Sequence, residues 1–307
     1  MRTTLLMALV LVGCGVSEAD VNDVGADSSE ELGELGTSTR SYVVFRRDMR
    51  RCVAPMCGGY WVHDVNRTTL NEMYVSGFDF SQSNLRALPE HQNDVTGAGA
   101  FEVVLYGKLG PTESRFNTRT FVVSDAWRGM PGVTFTEPAD TFVKVAAANI
   151  QCIAAPCATL RATKLHTTTK TLFHDLDLTR ASKPLVDQDW LTFRITDKDA
   201  IVAGKFVAGN QVGVGTEKVL DASQIFVHLP DMTQSCPRIS VQACPAGQVN
   251  VWTRNENRCP MPAGCSTNFG TCRFAVPTCS EGYELQSWKS GAYGCDRYVC
   301  DPAFLND

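Results

Sequence analysis

Short apolar runs, broken at intervals by turn residues, set the pattern of this chain. Residues 42–45 and 142–145 are aromatic and β-branched, as are 61–65, 101–105, 119–123, 191–195 and 224–228, and Gly, Pro, Asn or Asp stand between them. Runs of this kind predict strands. No segment of the body carries a long apolar period of 3.6 residues, so long helices are not expected there.

The pattern recurs. Residues 41–69 align with 141–169 at a constant offset of 100, with CVAPMC at 52–57 matching CIAAPC at 152–157 and Asn66 falling opposite His166. After a small slip, Phe78-Asp79-Phe80 parallels Leu176-Asp177-Leu178, and Gly107-Lys108 parallels Gly204-Lys205. A copy of about 100 residues is large enough to bury a core of its own. The expected fold is all-β: two tandem repeats of about 100 residues, over 40–140 and 141–233, followed by a small disulfide-rich module over 234–307. Each repeat would be a sandwich or an open barrel, or the two would merge into one pseudo-symmetric domain.

The first residues are of another kind. Residues 5–12 are apolar and follow Arg2. They are too few to span a bilayer core, which takes about 20, and fit the apolar part of a secretory signal. The ending Leu11-Val12-Gly13-Cys14 resembles the lipobox of bacterial lipoproteins. That resemblance implies a signal peptide over 1–13, cleavage before Cys14 and a lipid on its thiol. Since Gly15 is not Asp, it also implies sorting to the outer membrane.

Residues 14–39 hold Glu18, Asp20, Asp23, Asp27, Glu30, Glu31 and Glu34 among Ser and Gly, with no aromatic residue. Such a stretch buries too little apolar surface to offset its ordering entropy and is expected to be a disordered tether. The net charge of −5 belongs to it, because residues 40–307 hold 27 basic against 26 acidic side chains. A nearly neutral body gives no footprint for nucleic acid. The exception is local: Arg46, Arg47, Arg50 and Arg51 gather around Asp48, read as a solvated strand edge with Asp48 bracing one arginine.

Beyond Cys14 there are twelve cysteines: Cys52, Cys57, Cys152, Cys157, Cys236, Cys244, Cys259, Cys265, Cys272, Cys279, Cys295 and Cys300. An even number in an exported chain reads as six disulfides. No C-x-x-C pair occurs and the histidines lie far from the cysteine-rich tail, so no metal site is expected. The two C-x-x-x-x-C loops should close on themselves, each stabilising by about 2 kcal/mol. In the tail a four-cysteine rhythm occurs twice, which predicts bonds kept within 236–265 and within 272–300. Which of three patterns each unit uses is not readable. The spacing faintly resembles antistasin-type inhibitor repeats, which present a protease-binding loop. The closing C-x-x-C-x-C of that family is absent, so no reactive-loop residue carries over.

The runs TFVKVAAANIQCIAAPCATLRATKLHTTT and RRDMRRCVAPMCGGYWVHDVN, with VVSDAW at 122–127, resemble a domain-of-unknown-function family found mostly in exported myxobacterial proteins. The likeness covers roughly 40–230 and departs from the family pattern at His166, where Asn is expected. It implies fold and location and transfers no catalytic residue. The chain contains no G-x-S-x-G, H-E-x-x-H, phosphate-binding loop or EF-hand. His63-Asp64 and His174-Asp175 are adjacent strand residues that point to opposite faces, and read as solvent-facing polar groups. Asp79 and Asp177, matched between the copies, read as turn residues. The expected function is that of a non-catalytic cell-envelope lipoprotein without a cofactor. It would be held to the outer membrane by its lipid, face the periplasm or the cell surface, and bind a protein or glycan of unknown identity. The alternative is a secreted protease inhibitor acting through the tail.

Overall fold

The computed structural model describes residues 39–67, 72–135, 140–153, 155–197, 199–213, 215–231, 236–267, 272, 275–290 and 294–305. The signal segment, Cys14 and the tether up to residue 38 lie outside them. The first half runs β1 (Ser41–Arg47), β2 (Tyr60–Asp64), β3 (Met73–Val75), β4 (Gly77–Asp79), α1 (Pro89–Thr96), β5 (Val103–Leu109) and β6 (Thr120–Gly129). The second runs β7 (Thr141–Ala147), β8 (Leu160–Lys164), β9 (Lys170–Phe173), β10 (Asp175–Asp177), α2 (Gln188–Asp197), β11 (Ile201–Val212) and β12 (Gly215–Leu229). The order of strands and helix is the same in both.

All twelve strands belong to one sheet, ordered β3-β2-β1-β5-β6-β12-β11-β7-β8-β9, with β4 beside β6 and β10 beside β12. That order reads alike from either end. At its centre Arg128 pairs with Val227. The two are equivalent: Leu105 sits between Val43 and Ala126, Val202 sits between Val143 and Ile225, and Arg128 and Val227 follow two residues on. A local two-fold axis therefore passes through the β6–β12 pair, and the halves share a sheet that does not close into a barrel. Both inner hairpins slip register at the same place, between Tyr106 and Gly107 and between Ala203 and Gly204. A Cβ on Gly107 would lie 2.1 Å from the Val122 carbonyl oxygen, and one on Gly204 2.4 Å from that of Asp221. Only glycine lets the bulged backbones approach so closely.

The unbroken apolar runs reflect strands buried on both faces. Val43 and Phe45 join an outer cluster with Leu85, Val95 and Leu105, while Val44 joins an inner one with Val104, Trp127, Phe142, Ile201 and Phe226. Val143 and Phe142 divide in the same way. The sheet folds back so that its halves face each other across the inner cluster. There Phe142 stacks on Phe226 at 5.8 Å and Phe135 meets both edge-on. Residues 191–195, predicted as a strand, belong instead to α2, whose buried residues are Trp190, Leu191, Arg194 and Ile195. That spacing is one face of a helix. Over so few residues, aromatic and β-branched content imitates a strand.

Near the axis Asn66 and His166 hold equivalent left-handed positions, with φ of 61° and 66°, a conformation in which Asn and His are enriched. Each reaches into the other half. Asn66 Nδ2 donates to the carbonyls of Phe142 (2.8 Å) and Leu165 (3.2 Å), and the Phe142 N–H donates to Asn66 Oδ1 (2.8 Å). His166 Nε2 accepts from the Tyr42 N–H at 3.2 Å. At about 1 kcal/mol for each lost bond, Asn66→Ala is expected to cost about 2–3 kcal/mol. A denaturation midpoint equal to the parent's would show that this clasp contributes nothing.

The tail forms two hairpins, β13 (Gln248–Arg254) with β14 (Pro260–Thr267) and β15 (Tyr283–Ser290) with β16 (Cys295–Pro302). Cys236–Cys259 and Cys244–Cys265 close the first unit, and Cys272–Cys295 and Cys279–Cys300 close the second. Within each unit the first cysteine joins the third and the second joins the fourth. The tail is fastened to the body. The Cys300 N–H donates to the Leu185 carbonyl (2.8 Å), the Tyr283 hydroxyl to that of Pro131 (3.1 Å), and Phe304 and Leu305 enter the outer cluster. Beside these contacts three arginines meet three aspartates. Arg194 of α2 pairs with Asp231 at 2.9 Å. Arg254 grips Asp301 with both prongs and lies 3.9 Å from Asp187, and Arg258 reaches Asp301 at 3.5 Å.

Candidate functional site

The loop between β1 and β2, residues 48–59, is closed by Cys52–Cys57, whose Cα atoms lie 5.7 Å apart. Its base is held by Asp48, a buried carboxylate. Asp48 accepts from the Arg50 N–H (3.2 Å) and Nε (3.0 Å), the Gly58 N–H (3.3 Å) and the Trp61 indole (3.3 Å). Arg50 also donates to the Met56 carbonyl (3.2 Å), and the Tyr74 hydroxyl donates to that of Pro55 (2.8 Å). At the tip the Met56 N–H bonds back to the Val53 carbonyl at 3.1 Å, making a tight turn. A loop tied at so many points holds its shape. Even so it exposes three large apolar side chains, Met49 at 82%, Val53 at 74% and Met56 at 49%.

Behind the loop the register of β1, β2 and β3 sets Arg46 opposite Trp61 and Trp61 opposite Tyr74. The Arg46 and Arg50 guanidiniums lie 5.7 and 4.9 Å from the Trp61 ring centre, and Arg50 lies 5.2 Å from that of Tyr74. Arg46 is held by Glu72 at 2.8 Å. His63, opposite Val44, is only 3% exposed, with the Phe101 ring edge-on at 5.2 Å. Among the described residues neither of its ring nitrogens has a hydrogen-bond partner. Burial holds its pKa below the ordinary histidine value, against the pull of Glu72 and Asp64.

Two sequence readings change here. His63 and Asp64 are buried rather than solvent-facing, because β2 lies between β1 and β3. The arginine cluster is solvated as read, with Arg47, Arg50 and Arg51 exposed, but it is not on a sheet edge: Arg46 and Arg47 end β1, between β2 and β5, and Arg50 and Arg51 stand on the loop. Asp48 does brace one arginine, Arg50. That hydrogen bond, with the N–H donors around it, holds the Asp48 carboxyl at about 2. The folded value lies below the unfolded value of about 3.9, so Asp48 contributes stability above that unfolded value and loses it as pH falls towards about 2. The part of the tryptophan fluorescence removed by Trp61→Phe should therefore hold steady down to about pH 3 and change below it. A transition centred near pH 4 would show Asp48 to be unpaired in solution.

The matching loop of the second half, 148–159, is closed by Cys152–Cys157 and exposes Ile153 fully. The Ala148 N–H bonds the Thr159 carbonyl as that of Asp48 bonds Gly59. Otherwise the site is gone. Ala148 stands for Asp48 and Ile150 for Arg50, and in register Arg161 replaces Trp61 and Leu172 replaces Tyr74. Elsewhere, an open cleft of about 700 Å³ lies among Asp175, Asp177, Lys183, Gln188 and Thr192. Asp177 accepts from the Thr179 N–H as Asp79 does from that of Ser81, both at 2.9 Å, so these matched aspartates serve turns. Among the described residues no three His, Cys, Asp or Glu side chains gather as metal ligands, and no helix is long and apolar enough to cross a membrane.

A β sheet of two like halves with one disulfide each, followed by a tail with four more, defines a protein suited to an oxidising, extracellular environment. The chain belongs to the family of the domain of unknown function DUF6748, whose model matches residues 41–232. It is 26% identical over 263 residues to an uncharacterized protein of Dictyostelium discoideum, covering 83% of this chain and 85% of that protein. No solved structure matches the chain.

Proposed function

We propose that this chain is a non-catalytic, lipid-anchored binding protein of the outer membrane, facing the periplasm or the cell surface. The β1–β2 loop, with Trp61 and Tyr74 behind it, is its contact surface. One observation carries that reading: of two halves with the same strand order, only the first surrounds its disulfide-closed loop with Asp48, Arg50, Trp61 and Tyr74. A residue set needed for the fold would recur at the matching places. The lipobox-like ending at Cys14 and the disulfides support the location. Cys14→Ser is expected to stop incorporation of labelled fatty acid and release the chain from the membrane fraction. Normal fractionation of that variant would overturn the anchor.

The alternative, protease inhibition through the tail, draws on the stretch before Cys279, where Val276 is 64% exposed. Titrating the purified chain against a panel of serine and cysteine proteases separates the two readings, and stoichiometric inhibition abolished by Val276→Asp would favour the tail.

A further inference from the structure

The β1–β2 loop has the chemistry of a surface that seats on an anionic lipid layer, and we infer that the loop docks there. The inference rests on the reading of this loop as the contact surface and names what it touches. The loop is convex. Met49, Val53 and Met56 protrude from a turn closed by Cys52–Cys57, so they fill no pocket of their own chain. A fluid apolar layer accepts such side chains without a matching cavity.

Charge complementarity selects the sign. Of the acids beside the loop, Asp48 is neutralised by Arg50 and Glu72 by Arg46. Arg47 and Arg51 are exposed, and no acidic partner faces either among the described residues. Arg51 on the loop and Arg47 at its base, where β1 ends, thus add two exposed positive charges to a loop with three exposed apolar side chains. Trp61 and Tyr74 lie behind them with guanidiniums against their rings. Exposed apolar groups, exposed cations and aromatic rings gathered at one loop and its base are the elements of interfacial binding to anionic lipid. The guanidiniums over Trp61 also occupy the ring a sugar would stack on. The tight turn at 53–56 is not the extended strand a protease cleft takes up. The second loop lacks this collar: exposed Ile153 has Ala148, Asn149 and Ile150 before it.

The loop carries its own reporters, because methionine sulfur oxidises according to its exposure. The full chain purified from membranes is placed in vesicles of phosphatidylethanolamine with phosphatidylglycerol, or of phosphatidylcholine alone. Peroxide oxidation of Met49 and Met56 is then followed by peptide mass spectrometry, with buried Met130 as reference. In the anionic vesicles both methionines are expected to oxidise at least about fivefold more slowly than in the neutral ones. Arg47→Glu with Arg51→Glu should remove the difference, as should molar salt. Equal rates in the two vesicles would overturn the inference, and so would protection that survives both arginine changes. The anchor is read separately from the fatty-acid mass on Cys14. Equal methionine rates together with a protein cross-link from the loop would refute lipid docking while leaving the loop as contact surface.

Discussion

Asp301→Ala is expected to lower the stability of the chain by about 3–5 kcal/mol, the range found when one partner of a buried ion pair is removed. Asp301 is buried and faces both Arg254 and Arg258, so its loss removes the nearest countercharge of both arginines. For a unit of this size each kcal/mol shifts the melting temperature by about 2–4 °C, which places the expected drop at about 6–20 °C. The double change Arg254→Met with Asp301→Leu should cost less than Asp301→Ala alone, because one of the two facing arginines goes with the aspartate and only Arg258 loses this countercharge. A single variant that melts with the parent would mean that these ion pairs do not hold the two hairpins of the tail together.

The second large effect is expected from Cys279→Ala with Cys300→Ala. This bond closes 21 residues, and the chain-entropy estimate for such a loop is about 3 kcal/mol. Cys300 is itself buried, and its N–H bonds to the body at Leu185, so lost packing adds to lost cross-linking. The Cys52–Cys57 bond closes a much shorter loop, and removing it should cost only about 2 kcal/mol. Midpoints of chemical denaturation for the two double variants test the order. If removing the short loop's bond costs more, the rigidity of the β1–β2 loop matters to the whole fold and not only to its own surface.

Much of the fold was legible because strands buried on both faces write themselves as continuous apolar runs, as residues 42–45 and 142–145 do. The offset of 100 was legible because the cysteine loops and the Asn66/His166 pair keep their spacing. The sharing of one sheet was not, since nothing local distinguishes a strand paired within its half from β6 paired with β12. Helix α2 was missed because its 10 residues, under three turns, are too few to display a period. The tail's docking was hidden for a different reason. Tyr283 and Pro131 lie 152 positions apart and Arg254 and Asp187 lie far apart likewise, so no window reads the pairs together. The candidate site was half visible. The arginines around Asp48 stand side by side in the chain, but Trp61 and Tyr74 join them only through strand register. His63 looked solvent-facing because its burial depends on β3 and on Phe101, both distant in sequence.

The contact surface is tested most directly by a photo-cross-linking residue placed at Val53 in one variant and at Ile153 in another, in the native cell. The two positions are equivalent in the two halves and both are exposed, so they differ only in what surrounds them. Cross-linked adducts, identified by mass, are expected from position 53 and not from position 153. Equal adducts from both positions, or adducts from 153 alone, would contradict the assignment of the β1–β2 loop as the surface through which this protein binds.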